Sequence, residues 1–309
     1  MERKISLNDL RKAVDEAYEL VKSIKEGEID PRNTGARENQ MGISVVLADG
    51  TTINKGDTDV KVPMGSIVRV PLASVMFSQN SRDELIKKSG QCPCHKKPHK
   101  PAHLPVSAHT IRAFSAMEPT GDPESKWNIY ENRMIDLMGT SPELNVPVYN
   151  ALKKQVEDDN TVNRLAEDGY YLYDDAVMAV DLATKAEAMS ASTAQLAMMG
   201  ATIAADGVNP ATKKIVFDGE IAKYIVALMA AKGPHKMNGP WLVSTGLPAK
   251  ASFGGTILGI YPGVMAVAAY GAELNPTRVS IKAARAIKHI MEKLDMSVFS
   301  SARVSIVKD

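Results

Sequence analysis

Cysteine is almost missing from this chain: there are two in 309 residues, Cys92 and Cys94. They stand too close together to close a useful loop, so no disulfide framework holds the fold. Aromatic residues are also scarce, at 5%. An excess of charge is absent too, because 37 basic and 36 acidic residues leave a formal charge of +1. No global field then favours nucleic acid or an anionic membrane surface. No apolar run is long enough to cross a bilayer. The first periodic stretch, Ser6 to Lys25, sets Leu7, Leu10, Val14, Ala17, Val21 and Ile24 at helical spacing. Charges interrupt it throughout, which argues against a signal peptide or an anchor. A soluble, cytoplasmic protein is expected.

What is present is a 44% hydrophobic composition, enough for a large core and one or two domains. Met41 to Leu47 is β-prone, Asp49-Gly50 is a hairpin signal, and Thr51 to Lys55 reads as the returning strand. Ser66 begins an apolar, helix-like segment that ends near Phe77, with Pro71 tolerated only in its first turn. Asp174 to Asp206, rich in Ala and Met, reads as two packed helices, and Met189, Met198 and Met199 read as core. Strand patterns return at Trp241-Leu-Val, Thr256 to Tyr261 and Val264 to Tyr270, and Ser280 to Leu294 is an amphipathic helix. Strands at both ends with helices between them predict an α+β fold. One antiparallel sheet with flanking helices is formed by both chain ends, and a helical subdomain is inserted into it. The expected division is 1–78 with 206–309 for the sheet part and 79–205 for the helical part.

Three segments carry a family likeness: Glu118-Pro-Thr-Gly-Asp122, Ala204-Ala-Asp-Gly-Val-Asn-Pro210, and Gly246-Leu-Pro-Ala-Lys250 with Gly254-Gly255 behind it. Together, and in this order, they resemble the serine-dependent glutaminases from roughly Gly42 to the C-terminal helix. The resemblance implies a fold like that of the serine β-lactamases and penicillin-binding proteins, with the active site in the cleft between the two parts. It also implies a small-molecule substrate, no required cofactor, and a homodimer or homotetramer.

The resemblance places the nucleophile at Ser66, but the family's Ser-x-x-Lys reads Ser66-Ile-Val-Arg69 here. In the family the lysine sheds its proton to activate the serine; arginine cannot do so at usable pH. Arg69 can instead grip a carboxylate or phosphate bidentately. A second reading of Ser66 is a helix N-cap, a position that favours serine. By the same resemblance Asn150 is the equivalent of a substrate-binding asparagine. The substrate grip falls on Asp158 with Leu165 in one alignment, and on Glu157 with Asn163 in the other. An acidic, solvated helix end is the alternative for that region. The family's tyrosines are replaced at Ala183 and His235, and none is recognisable near Glu28-Ile-Asp-Pro31. His235 and Lys250 are the candidate bases: imidazole for its pKa, lysine because burial beside Arg69 would lower its own. The backbone N–H groups of Ser66 and Phe253 are the implied oxyanion hole.

Between Ser66 and Glu118 the chain is longer than the family pattern, with an insert at about 80–110 rich in Cys, His and Lys. Cys92, Cys94, His95 and His99 are soft and borderline ligands that could hold Zn or Fe, and His103 and His109 follow. Their spacing matches no common zinc framework. A basic lid or a subunit-packing loop reads the segment equally well. Three functions stay open. The first is a glutaminase-like serine amidohydrolase with altered specificity, acting on a small amide through an acyl-enzyme on Ser66. The second is a repurposed hydrolase fold with metal-assisted chemistry, and the third a non-catalytic anion-binding homologue.

Overall fold

The structure, a computed structural model, describes residues 2–90, 104–234 and 237–308. The chain opens with β1 (Glu2–Ser6) and α1 (Leu7–Val21), whose start is capped by the Ser6 hydroxyl accepting from the Asp9 N–H at 3.0 Å. A short β2 (Glu28–Ile29) leads to the hairpin β3 (Met41–Leu47) and β4 (Thr52–Gly56). β5 (Val62–Pro63), a 3-10 turn (Gly65–Val68) and α2 (Arg69–Gln79) follow. The middle of the chain is mostly helical: α3 (Arg82–Gly90), α4 (Ala108–Ser115), α5 (Pro123–Met138), β6 (Glu143–Leu144), α6 (Val146–Asp158) and α7 (Thr161–Glu167). Next come α8 (Ala176–Glu187), β7 (Met189–Ala191), α9 (Thr193–Ala204), α10 (Gly219–Lys232) and α11 (Asn238–Thr245). The chain closes with β8 (Ala249–Ala251), β9 (Thr256–Tyr261), β10 (Met265–Gly271), β11 (Glu273–Leu274), α12 (Ile281–Lys293) and β12 (Arg303–Val307).

The central sheet is antiparallel, with strand order β4-β3-β10-β9-β8. Both chain ends contribute to it, as the strand patterns predict. Helices cover both of its faces, so β3, β9 and β10 are buried along their whole length. On one face lie α1, through Leu10, Val14 and Val21, and α12, through Ile287, Ile290 and Met291. On the other lies α9, started by a capping box in which Ser192 and Gln195 satisfy each other's backbone N–H. A second apolar cluster joins that face, at Leu258, Ile260 and Ala266, to α2, α4, α5 and α8. Gly200 marks the closest approach: a Cβ there would stand 2.5 Å from the Ala266 Cβ. Replacing Gly200 with leucine should therefore cost on the order of 3 kcal/mol by overpacking. Chemical denaturation checks this, and a midpoint equal to the parent's would count against such close helix–sheet contact.

One element differs from the sequence reading. Trp241-Leu-Val lies in α11, not in a strand. Periodicity cannot assign an apolar run this short, and side-chain bonds at its end decide the matter. Thr245 Oγ1 donates to the Trp241 carbonyl at 2.8 Å, Trp241 Nε1 donates to the Leu247 carbonyl at 2.7 Å, and Gly246 closes the helix on Leu242. Among the described residues, no helix is long and apolar enough to cross a membrane.

Candidate active site

Ser66 sits in the 3-10 turn that leads into α2. It is not a helix cap, since neither the turn nor α2 has a side-chain cap. Among the described residues, neither the Ser66 hydroxyl nor its N–H has a hydrogen-bond partner. Gly65, at φ +46°, lets the turn press on the segment after β8: a Cβ there would meet the Phe253 ring at 2.7 Å. That segment is tied down from several sides. Ser252 Oγ donates to the Pro63 carbonyl at 2.7 Å and accepts from the Gly254 N–H at 2.8 Å. Asn33 Nδ2 holds the Gly254 carbonyl at 3.0 Å, and the Arg32 guanidinium lies 4.1 Å over the Phe253 ring. The Phe253 N–H is left without an acceptor among the described residues. Two unpaired amides thus lie on neighbouring, locked segments beside a serine hydroxyl.

Behind this serine lies a cluster of buried charge. Arg69 donates from Nε to the Ser66 carbonyl at 3.3 Å and faces Glu187. Glu187 is buried at the end of α8, and its carboxylate accepts from Thr110 Oγ1 at 3.0 Å and from the Ser107 N–H at 3.2 Å. Burial pushes the Glu187 carboxyl up; Arg69, Thr110 and the Ser107 amide oppose this without overcoming it. Lys250, buried on β8, donates to the carbonyls of Lys232 at 3.1 Å and Gly233 at 3.2 Å. Burial first, then the positive charge of Arg69, brings its ammonium down to about 7, with Glu187 pulling the other way. Burial, then Arg69, Lys232, Lys250 and Arg112, bring the His109 imidazole down to about 4. At neutral pH His109 is uncharged and a weak base.

The structure brings Ser66, Arg69, Lys250 and Phe253 together. Asn150, by contrast, lies exposed on α6, and the two hydrogen-bond donors to Glu187, the Ser107 N–H and the Thr110 hydroxyl, come from the start of α4. Glu157, Asp158 and Asn163 are exposed on α6 and α7, where Asp158 pairs with Lys154 at 2.6 Å and Asn163 with Asn160 at 3.0 Å. Leu165 is buried in the core. His235, Cys92, Cys94, His95, His99 and His103 lie outside the described residues. Among the described residues, no group of three or more His, Cys, Asp or Glu is placed to hold a metal.

With this geometry in hand, comparison with known proteins decides the family: the glutaminase family model matches residues 31–299. The chain belongs to the glutaminase family. Over 324 residues it is 34% identical to a glutaminase of Bacteroides thetaiotaomicron, covering 99% of this chain and 100% of that one. A glutaminase of Bacteroides fragilis strain YCH46 is 32% identical over 320 residues, with 99% and 100% covered. Among solved structures, the probable glutaminase ybaS superposes with a TM-score of 0.85 at 26% identity, over 96% of this chain and 100% of that one. A probable glutaminase from Bacillus subtilis, complexed with 6-diazo-5-oxo-L-norleucine, shares the fold at a TM-score of 0.80 and 22% identity, over 94% and 96%. The family and the fold read from the three short segments are thereby borne out.

Within this glutaminase-family chain, two parts of the site escape the sequence reading. Glu187 is one: a single carboxylate in Ala183-Thr-Lys-Ala-Glu187-Ala-Met189, a stretch otherwise read as core. Acidic residues are almost never fully buried without a partner, so a Glu on a core face was the available signal. The other is the clamp on Phe253. Asp30 holds Arg32 at 2.9 Å on both oxygens and also takes Arg278, while Arg32 donates to the Pro105 carbonyl at 3.1 Å. Burial alone would raise Asp30, but the two arginines bring it down to about 2. No local pattern announces that cluster, because its members come from three distant segments.

Proposed function

We propose that this chain is a serine amidohydrolase of glutaminase type with altered specificity, hydrolysing the C–N bond of a small amide through an acyl-enzyme on Ser66. One observation carries the reading: a serine hydroxyl, unpaired among the described residues, beside two backbone N–H groups that are likewise unpaired there, its own and that of Phe253. Preorganised donors of this kind stabilise the oxyanion of a tetrahedral intermediate. Ser66 Oγ attacks the amide carbonyl carbon while its proton passes to Lys250 Nζ. The carbonyl oxygen becomes the oxyanion on the two amides. Collapse expels the amine, which takes the proton from Lys250 and leaves the acyl ester on Ser66. Water, deprotonated by the same lysine, then releases the acid and restores the hydroxyl.

Lys250 suits this role for a reason that the sequence reading supplied in part. An amine near its pKa at neutrality is about half unprotonated. A neutral amine has two N–H bonds, and the carbonyls of Lys232 and Gly233 accept two. Its lone pair is then the position left to receive a proton. Arg69 holds that pKa down and takes no proton itself.

Specificity is where this chain departs from the family pattern that its motifs resemble. Ala183 has no hydroxyl, Leu165 is in the core, and Glu157, Asp158 and Asn163 face solvent. A site that has lost polar partners for an α-amino and α-carboxylate group rejects glutamine strongly. Ammonia release from glutamine should accordingly be slight, and rapid release in a coupled glutamate assay would refute the altered specificity. The acyl-enzyme is tested with p-nitrophenyl acetate, an activated ester that makes few demands on specificity. A stoichiometric burst of nitrophenolate, with acetyl mapped to Ser66 by mass spectrometry, is expected. Acetyl found only on surface lysines would count against the nucleophile.

A further inference from the structure

A cavity of about 610 Å³ lies between α2, α3, α4 and α10, with Arg69 and His109 on its wall. Ser66 is not on its wall. Leu72 and Met76 of α2, Leu85 and Ile86 of α3, and Ala227 and Leu228 of α10 make its lining apolar. Two of these are conspicuously open to water, Ile86 at 61% and Leu228 at 44%. Apolar side chains gathered around a cavity mouth mark a binding surface more than a monomer's ordinary exterior.

Among the described residues, the charge lining this cavity is of one sign: Arg69, Arg82, Lys88 and Arg112 line it, and no described carboxylate does. Asp83 neutralises Arg82, and Lys88 Nζ is held by Asn80 Oδ1 at 2.6 Å. Arg112 spends Nε on the Tyr171 carbonyl at 3.1 Å, and Nη2 on the Lys88 carbonyl and the Tyr173 hydroxyl. Its Nη1 has no acceptor among the described residues, and neither do the two terminal nitrogens of Arg69. Glu187 faces Arg69, yet no carboxylate oxygen of the described residues lies within salt-bridge distance of it. Guanidinium donors left open at the rim of an apolar cavity match one kind of ligand, an anion with a hydrocarbon tail.

We propose that this cavity is a binding site for a monocarboxylate with an apolar tail, its carboxylate at Arg69 and Arg112 and its tail between α2, α3 and α10. The site does not depend on hydrolysis at Ser66, and binding to the Ser66→Ala protein tests it apart from turnover. Octanoate is the probe, titrated calorimetrically into the full chain. One site per chain is expected, with butyrate weaker by about tenfold or more because each buried methylene contributes to affinity. Octylamine, with the same tail and opposite charge, should not compete. Ala227→Trp, which fills the cavity, should weaken octanoate about tenfold or more. Ala113→Trp on the α4 wall is the second filler should the first fail to fold by circular dichroism. The proposal is overturned if octanoate gives no binding at about 1 mM. Equal binding of octylamine, or octanoate affinity unchanged in a folded filler variant, overturns it as well.

Discussion

Replacing Ser66 with alanine is expected to lower turnover on the order of a thousandfold or more, as removal of a nucleophile does, and to leave the fold unchanged. The second half of that expectation comes from the hydrogen bonds. The Ser66 hydroxyl has no partner among the described residues and caps no helix. Removing it breaks no bond and leaves no buried group unsatisfied, so the thermal midpoint should stay put. A lost rate at constant stability is then a chemical loss. The same variant should abolish the nitrophenolate burst, because no oxygen remains to carry the acyl group. Should Ser66→Ala keep full activity on the amide substrate, the acyl-enzyme is wrong, and the cleft either performs other chemistry or only binds.

The second large effect concerns the base. With Lys250 near 7, the rate should rise with pH through about 7 and then level off, as the lysine loses its proton. Lys250→Met should remove both the rise and most of the rate. Its two charged neighbours pull in opposite directions, and that gives the test its sign. Arg69⁺ lowers the lysine's pKa, so Arg69→Met should move the inflection to higher pH and depress the rate at neutrality. Glu187 raises it, so Glu187→Gln should move the inflection lower. Inflections that ignore both substitutions would exclude Lys250 and turn attention to His235. Stability carries the same signature. A lysine whose folded pKa lies below its unfolded value binds fewer protons folded than unfolded between about 7 and 10.5. Stability from this group therefore rises with pH across that window and is lost as pH falls through 7. Lys250→Met should flatten that slope in denaturant titrations.

Much of the fold was legible because it is encoded over short distances. The helices α1 and α12 announce themselves by apolar residues at helical spacing, and the β3–β4 hairpin by a turn signal between two β-prone runs. The candidates Ser66 and Lys250 come from short motifs whose order matches the family. Where the pattern was shorter, it misled. Trp241-Leu-Val has strand composition, yet hydrogen bonds from Thr245 and Trp241 close it as a helix. The region from Glu157 to Asn163 offered two alignments, and both sets of side chains face solvent on α6 and α7.

The sequence by itself determined the family and the α+β architecture with both chain ends in one sheet. Each of these rests on residue identity or on local periodicity, which a linear chain displays directly. Only the tertiary structure decided that Glu187 stands opposite Arg69, that Asp30 and Arg32 clamp Phe253, and that Lys250 is buried beside Arg69. Those properties arise from desolvation and from charges that distant segments bring together. A pKa or an open hydrogen-bond donor belongs to a position in space, and it takes the folded chain to create that position.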